Sequence, residues 1–420
     1  MHITLQKSKI AKQSSIKITG SKSESNRLLL LQALYPEFEL ANVSNSDDSC
    51  LMTDALASSS EIVDIHHAGT AMRFLTAYFS IQEGRDTILT GSKRMKERPI
   101  KILVEALQDL GADISYIENE GFPPIKIKGK RLTKNQVCLK ANVSSQYISA
   151  LLLIASKLEN GLELTLEGEI TSVPYINMTL SLLDEIGVES SFKGNVISVK
   201  PNTKKLTPKM LTVESDWSSA SYYFSIAALS EIGTEITLNS YKENSLQGDS
   251  VLVDIYKHFG VISVFNGNSV TLKKEVPSLI PLELDLKNAP DIAQTIAVTC
   301  FALGISCDLI GLHTLKIKET DRLVALKTEI EKLGGSVTIT DKSLHLKPNT
   351  LFSQETNPLP SEELREAIAT YNDHRMAMAF APLALKTSLI IEDASVVSKS
   401  YPTFWDDLKS IGFQITSNES

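Results

Sequence analysis

Cysteine and tryptophan are scarce in this 420-residue chain, with four copies of the first and two of the second. Cys50, Cys138, Cys300 and Cys307 form no CxxC pair and have no adjacent histidine. That spacing excludes zinc ribbons and dithiol redox motifs, and it predicts buried free thiols in a reducing cytoplasmic compartment. Long apolar runs are missing too. The longest, Ile148 to Ala155, is far short of the roughly 20 residues a bilayer helix needs. The opening stretch MHITLQKSKI has no apolar signal core, so no export is expected. Nor is there an excess of positive charge: 42 Lys and Arg face 50 Asp and Glu, a net charge of −8. A nucleic-acid binder would need a broad basic face, so any anion site must be a local gathering of cations. No GxxxxGK[ST] loop, no GxGxxG after a strand and no HExxH occurs, and the seven histidines cluster only at His66 and His67. Nucleotide, metal and cofactor are therefore not expected.

What is present is the composition of a soluble globular protein, 42% hydrophobic and 22% charged. The length predicts two domains of about 200 residues each. A helix-ending phrase recurs along the chain: LQDLGADI at Gly111, LLDEIGVES at Gly187, YKHFGVIS at Gly260, IEKLGGSV at Gly334 and LKSIGFQI at Gly412. The glycine spacings are 76, 73, 74 and 78 residues. Each phrase reads as an amphipathic helix, a terminating glycine with positive φ, then a strand. So long a period predicts a repeated small α/β subdomain. One period before Gly111 no such phrase exists, and NSDDSCLMTDALASSSEIVDIHHAGT is too short for a full helix–glycine–strand passage. The first unit is expected to be truncated.

Helix starts carry an unusual set of polar residues. ITGSKSESNRLLLLQAL begins with Lys22, Ser23 and Arg27, and Ser21 with Glu24 fits a capping box. HHAGTAMRFLTAYFS has Arg73 just after Gly69. KIKETDRLVALK has Thr320 as cap, with Lys318, Glu319 and Arg322 around it. YNDHRMAMAF has Asp373 as cap, then His374 and Arg375. NVSSQYISALLL supplies Ser144, Ser145 and Gln146, and SVPYINMTLSLL supplies Ser172 and Tyr175. NAPDIAQTIAV has Asp291 after Pro290, where an acid is electrostatically welcome. Taken singly, a hydroxyl at such a place is more simply a cap, and Arg73 or Arg375 a surface ion pair. Jointly, four helix starts that carry cations against the helix dipole, each followed by an apolar run, point to anions arriving there, phosphate and carboxylate. The run Lys93, Arg94, Lys96 and Arg98 adds cations that alone would be a solvated turn.

GSKSESNR, AGTAMR, RMKERPI, SSQY, KETDRL and YNDHRMAM, in this order across nearly the whole chain, resemble the enolpyruvyl transferase family, specifically its branch acting on shikimate 3-phosphate. The resemblance implies a two-domain inside-out α/β barrel of repeated α/β units, with the active site in an interdomain cleft that closes on substrate. It implies a discontinuous domain, 1–19 with 215–420, carrying cations for phosphoenolpyruvate and acid/base carboxylates. The inserted domain, 20–214, would bind shikimate 3-phosphate. The implied reaction moves the enolpyruvyl group of phosphoenolpyruvate to the 5-hydroxyl of shikimate 3-phosphate and releases phosphate, a step towards aromatic amino acids and the one glyphosate inhibits.

By that resemblance Lys22, Gly69, Arg94, Gln146, Arg322, Arg375 and Lys399 hold phosphoenolpyruvate. Lys22, Ser23, Arg27, Ser144, Ser145, Gln146, Ser172, Tyr175, Asp291 and Lys318 hold shikimate 3-phosphate. Asp291, Glu319 and Lys22 are the acid/base candidates, and a carboxylate crowded by ligand anions should have a raised pKa. His67, where the family usually has Asn, and Phe74, where it often has Pro, depart from the pattern, as do Thr314 and Lys316. The branch that uses UDP-N-acetylglucosamine is the nearest rival; its mobile loop carries a cysteine that TGSKRMKERP lacks. A non-catalytic anion-binding relative is the other, and it would have lost Asp291, Glu319 or Lys22. A monomer acting on small molecules, without nucleic acid or membrane, is expected.

Overall fold

All five glycines of the recurring phrase take positive φ: 104° at Gly111, 84° at Gly187, 70° at Gly260, 88° at Gly334 and 118° at Gly412. A Cβ is disfavoured in that region, and there glycine stops a helix and turns the chain into a strand. The computed structural model describes residues 1–140, 144–168, 170, 173–202, 207–352 and 367–418. The chain divides into two units, Met1–Thr19 with Ser215–Ser420, and Gly20–Glu214.

In the unit made of both chain ends, the described strands form three four-stranded sheets of one design. Leu282–Asp285 pairs parallel with Cys307–Ile310, which pairs antiparallel with Ser343–Leu346, which pairs antiparallel with Val337–Ile339. Gln13–Ile16 joins Glu235–Asn239, Ser269–Lys274 and Val261–Asn266 in the same way. So do Ala367–Ile368, Leu389–Ile391, His2–Gln6 and Gln414–Asn418, with the chain's two ends in one sheet. A helix lies between the two parallel strands of each set: Trp217–Leu229, Ala293–Leu303 and His374–Phe380. These helices are apolar on nearly every face and sit in the core, while the strands alternate buried and exposed residues. Helices inside and sheets outside reverse the usual order of a barrel. Hydroxyls link the inner helices, Ser221 Oγ to Thr295 Oγ1 at 2.9 Å and Thr299 Oγ1 to Ser225 Oγ at 2.8 Å. Small side chains let the helices approach closely.

The inserted unit has its own core and two sheets of the same design. Ile62–Asp64, Asp86–Thr90, Ile125–Lys128 and Asp113–Tyr116 form one; Gln136–Lys140, Leu162–Glu167, Val196–Val199 and Ser190–Lys193 form the other. The third set is cut short. Among the described residues, Phe38–Ala41 pairs only with Lys209–Thr212, in parallel. The expected truncation is present, but its form differs from the sequence reading. The stretch holds a complete helix, Asp47–Ala57, and passes straight to Ile62–Asp64. What the described residues of this set lack is the closing pair of antiparallel strands. Gly20 stands where the chain enters this unit, and a Cβ there would lie 2.0 Å from the Asn42 carbonyl oxygen and 2.7 Å from Val213 Cγ1.

Four local expectations are corrected. Ser21 makes no side-chain cap bond; Glu24 Oε1 instead accepts from the Glu214 backbone N–H at 3.3 Å, so the capping box does not form. The cap of the helix Arg322–Lys332 is Asp321 rather than Thr320, its carboxylate accepting from the N–H groups of Leu323 and Val324. The helix before Gly260 is a four-residue turn, Leu252–Ile255, between two 3-10 turns; Gly248, Asp249, Ser250, Val251 and Val253 are all weak helix formers. Cys300 and Cys307 are buried, but Cys50 and Cys138 are exposed. Cys138 falls on the outward phase of an alternating strand.

The glycines supply a test. Gly334→Ala meets only Leu351 Cδ1 at 3.4 Å and should cost about 1–2 kcal/mol for its left-handed backbone. Gly260→Ala also meets the Glu275 carbonyl oxygen at 2.5 Å and the Pro277 nitrogen at 2.8 Å. It should cost at least about 1–3 kcal/mol more. Urea-unfolding midpoints of the two variants measure the gap, and equal midpoints would contradict the packing at Gly260.

Candidate active site

In the inserted unit the inner helices bring their N-terminal turns together. Arg27, on the second turn of Lys22–Leu34, is buried. Its Nε donates to Thr179 Oγ1 at 2.8 Å, Nη1 to the Ser23 carbonyl at 2.7 Å and Nη2 to Ser149 Oγ at 2.9 Å. Its guanidinium carbon lies 5.8 Å from the Tyr175 ring centroid and 5.4 Å from that of Phe74. Every hydrogen-bond acceptor here is a neutral oxygen. Burial consequently pushes the Arg27 pKa down to about 10. Arg73 behaves alike: Nη1 donates to the Gly69 carbonyl at 2.9 Å, Nη2 to that of Pro99 at 3.3 Å, and Nε is buried without an acceptor among the described residues. Burial, with Arg98 nearby, pushes it down to about 10 as well. Among the described residues no carboxylate is hydrogen-bonded to either of these desolvated arginines, though Glu24 acts on Arg27 and Asp48 on Arg73 through space. An incoming anion would restore their balance.

Around them stand other residues singled out in the sequence. Lys22 is the first residue of its helix and half-buried. Ser144 caps Ser145–Ala155, accepting from the Gln146 N–H at 3.3 Å, so its simpler reading as a cap holds. Gln146 Nε2 donates to Thr70 Oγ1 at 3.2 Å, which joins two helix starts; Ser145 is half-buried at the same start. Ser172 lies outside the described residues. The basic turn splits. Arg94 is exposed and paired with Glu97 at 3.1 Å, and Lys96 with Glu118 at 2.7 Å, both as a solvated turn would have them. Arg98 is the member turned against Gly69: a Cβ on Gly69 would lie 2.5 Å from its Nη1.

The other unit gathers charge of both signs. Arg322 opens the helix Arg322–Lys332 and is buried. Its Nε donates to Asp373 Oδ2 at 2.7 Å, Nη1 to Asp291 Oδ1 at 2.8 Å and Nη2 to Glu319 Oε2 at 2.8 Å. Asp291 also receives Lys318 at 3.3 Å and Arg375 Nη2 at 3.4 Å, and its backbone carbonyl accepts from Arg375 Nη1 at 3.1 Å. Asp373 caps its helix by accepting from the Arg375 N–H at 2.9 Å, and its second task is to hold Arg322. Lys399 donates to the carbonyl and Oδ1 of Asn372 at 2.7 and 2.8 Å.

Burial alone would raise the Asp291 carboxyl, but Lys318, Arg375 and Arg322 hold it well below the ordinary range. The expected raised pKa is therefore not found: Lys318, Arg375 and Arg322 together outweigh the burial of Asp291. Burial opposes charge on Arg322 and Arg375, yet their carboxylate neighbours raise both. Asp249 goes the other way. Burial, with Asp291 close by, pushes it up to about 7 against the pull of Arg375 and a hydrogen bond from Ser218 Oγ. Ser218 in turn accepts from Arg375 Nη2 at 3.2 Å. Arg375 Nε is buried with no acceptor among the described residues.

Sequence reasoning missed Ser149, Thr179, Ser218 and Asp249, and it named Arg98 only as a member of the basic run. Ser149 and Thr179 had a signal, since each is a hydroxyl inside an otherwise apolar helical run. Asp249 had none. Among the described residues no group of three His, Cys, Asp or Glu could hold a metal ion, and no helix is long and apolar enough to cross a membrane.

Known proteins were compared with this chain. The family model of EPSP synthase (3-phosphoshikimate 1-carboxyvinyltransferase) matches residues 56–408. A 3-phosphoshikimate 1-carboxyvinyltransferase of Bacteroides fragilis is 46% identical over 410 residues, 97% of each chain. One from Haemophilus influenzae is 34% identical over 433 residues, 96% of this chain and 97% of its own. Among solved structures, an EPSP synthase from Acinetobacter baumannii superposes with a TM-score of 0.79 at 20% identity, over 100% of both chains. The enolpyruvyl transferase NikO of Streptomyces tendae gives 0.75 at 13%, over 100% and 99%. These two show the shared fold. The sequence matches, spanning nearly the full length, decide the kinship: this chain belongs to the EPSP synthase (3-phosphoshikimate 1-carboxyvinyltransferase) family.

Proposed function

We propose that this chain transfers the enolpyruvyl group of phosphoenolpyruvate to the 5-hydroxyl of shikimate 3-phosphate and releases phosphate, a step of aromatic amino acid biosynthesis. The observation that carries the reading is the 46% identity to a curated 3-phosphoshikimate 1-carboxyvinyltransferase across 97% of both chains. The arginines at the helix starts supply its physical sense. We further read the protein as a cytoplasmic monomer. No step of the transfer calls for a metal or an organic cofactor.

The carbon of phosphoenolpyruvate that bears the enol phosphate is a poor electrophile until its methylene takes a proton. The cation so formed is attacked by the 5-hydroxyl, which gives up its proton to a base. The resulting tetrahedral phosphate ketal loses a methyl proton and expels phosphate, restoring the double bond. The site must supply an acid, a base and cations on the leaving group. Asp291 is ionised here and suits the base on the hydroxyl once an arriving anion draws its cations away and raises its basicity. Glu319, with Arg322 as its ion-pair partner, and Lys22 suit the proton on the methylene. Arg27 with Ser23, Tyr175, Ser144, Ser145, Gln146 and Ser172 would bind shikimate 3-phosphate, with Lys318 beside its reacting hydroxyl. Arg322, Arg375, Lys399, Arg94 and Gly69 would serve phosphoenolpyruvate. Arg322 has three carboxylate partners here, so an incoming anion competes for it and frees a carboxylate to take a proton.

Phosphate release from phosphoenolpyruvate should require shikimate 3-phosphate and not occur with UDP-N-acetylglucosamine. Lys22→Ala and Asp291→Ala should each lower kcat by about 10²- to 10⁴-fold. Full activity in both variants would mean that the reacting atoms meet elsewhere.

Asp249 provides a second check. Its folded pKa of about 7 lies above the unfolded value of 3.8, so between them the folded chain binds the extra proton. Stability contributed at low pH is lost as pH rises through that window. Asp249→Asn should therefore gain stability relative to the parent chain between pH 5 and pH 8 in urea titrations. A constant difference across that range would contradict the burial of an ionisable Asp249.

A further inference from the structure

Tyr371 and Asn372, just before Asp373, have φ values of 53° and 59°. Two successive side-chain-bearing residues in the left-handed region are costly, and such a pair persists only where surrounding contacts enforce it. Lys399 holds Asn372 through its carbonyl and Oδ1, and three further contacts hold the turn. The Tyr371 hydroxyl donates to Glu329 Oε1 at 2.6 Å. The Ala369 N–H donates to Glu329 Oε2 at 3.3 Å. The Asp373 N–H closes the turn on the Thr370 carbonyl at 2.9 Å.

Glu329 is fully buried, although Tyr371 itself is 39% exposed. Its carboxylate is balanced by Lys332 at 2.5 Å, which also reaches the Ala367 carbonyl at 2.7 Å. Burial, with the Glu329 carboxylate, pushes the Tyr371 phenol up to about 12, so it remains a donor throughout the working pH range. The decisive relation lies along the helix Arg322–Lys332. Glu329 is seven residues, two turns, after Arg322, so both side chains lie on one face. Arg322 grips Asp373 and Glu329 grips Tyr371. One helix face thereby holds the turn at two points. Directly beyond the turn stands Arg375, whose guanidinium meets Asp291.

We propose that Glu329 is a positioning residue for the enolpyruvyl transfer: through the Tyr371 hydroxyl it holds the left-handed pair that aims Asp373 and Arg375 at Arg322 and Asp291. The inference rests on the proposed function for what Arg375 binds, and on this unit's geometry alone for how the turn is held. A simple packing role would make larger truncations worse. A tether that holds strain makes a different ordering.

The test uses the full chain, with phosphate release measured against each substrate. Tyr371→Phe removes the tether and keeps the strain; it should lower kcat/KM for phosphoenolpyruvate by about 10- to 100-fold, with KM for shikimate 3-phosphate nearly unchanged. Tyr371→Gly removes tether and strain together and should recover much of that loss. Glu329→Gln still offers an acceptor and should fall between Tyr371→Phe and the parent chain. Glycine performing worse than phenylalanine would overturn the proposal. A crystal structure of Tyr371→Phe decides it independently of activity: residues 371 and 372 should leave positive φ and Arg375 Nη2 should draw away from Asp291, beyond the present 3.4 Å. An unmoved turn refutes the tether. A parent chain inactive with both substrates would instead sink the functional reading, leaving the crystal structure to judge the turn.

Discussion

The guanidinium of Arg322 is the interaction on which its half of the chemistry depends. It is buried, and three carboxylates from three segments, Asp291, Glu319 and Asp373, converge on it. Desolvating Arg322 and Asp373 is expensive, and their burial is tolerable only because the charges meet. That requirement fixes the starts of the helices Arg322–Lys332 and His374–Phe380 and the turn at Pro290–Ile292 with respect to one another. Removing Arg322 would leave the buried Asp373 without the cation that balances it.

The inserted unit solves its electrostatics in the opposite way. Arg27 and Arg73 are as buried as Arg322, yet their hydrogen bonds run to hydroxyls and backbone carbonyls. One unit thus pairs its buried arginine directly with carboxylates, and the other surrounds its buried arginines with neutral acceptors, leaving carboxylates such as Glu24 and Asp48 to act on them only through space.

Much of this was legible in the sequence because it rests on local rules. The repeat glycines announced the subdomains, since a helix stop with positive φ nearly demands that residue. The basic residues at helix starts announced the buried arginines Arg27, Arg73 and Arg322, since nothing in helix energetics favours them there. What escaped was non-local. Arg98, rather than Arg94, faces Gly69 because of how one short turn folds back, and charge counting cannot separate the two. Ser21 looked like half of a capping box, but Glu24 found the Glu214 backbone, distant in sequence, a more accessible donor. Asp249 is notable only once Ser218, Asp291 and Arg375 surround it. The cysteines were misjudged in part because exposure of Cys138 depends on which phase of its strand faces out.

The placement of strand His2–Gln6 bears on how the polypeptide is made. It sits between Leu389–Ile391 and Gln414–Asn418, so this strand is made long before either of its sheet partners. The inserted unit closes its final ladder at Thr212, when about half the chain exists. Synthesis therefore favours a middle that matures early and a beginning that waits, its apolar Ile3 and Leu5 available meanwhile to holding chaperones or to misassembly.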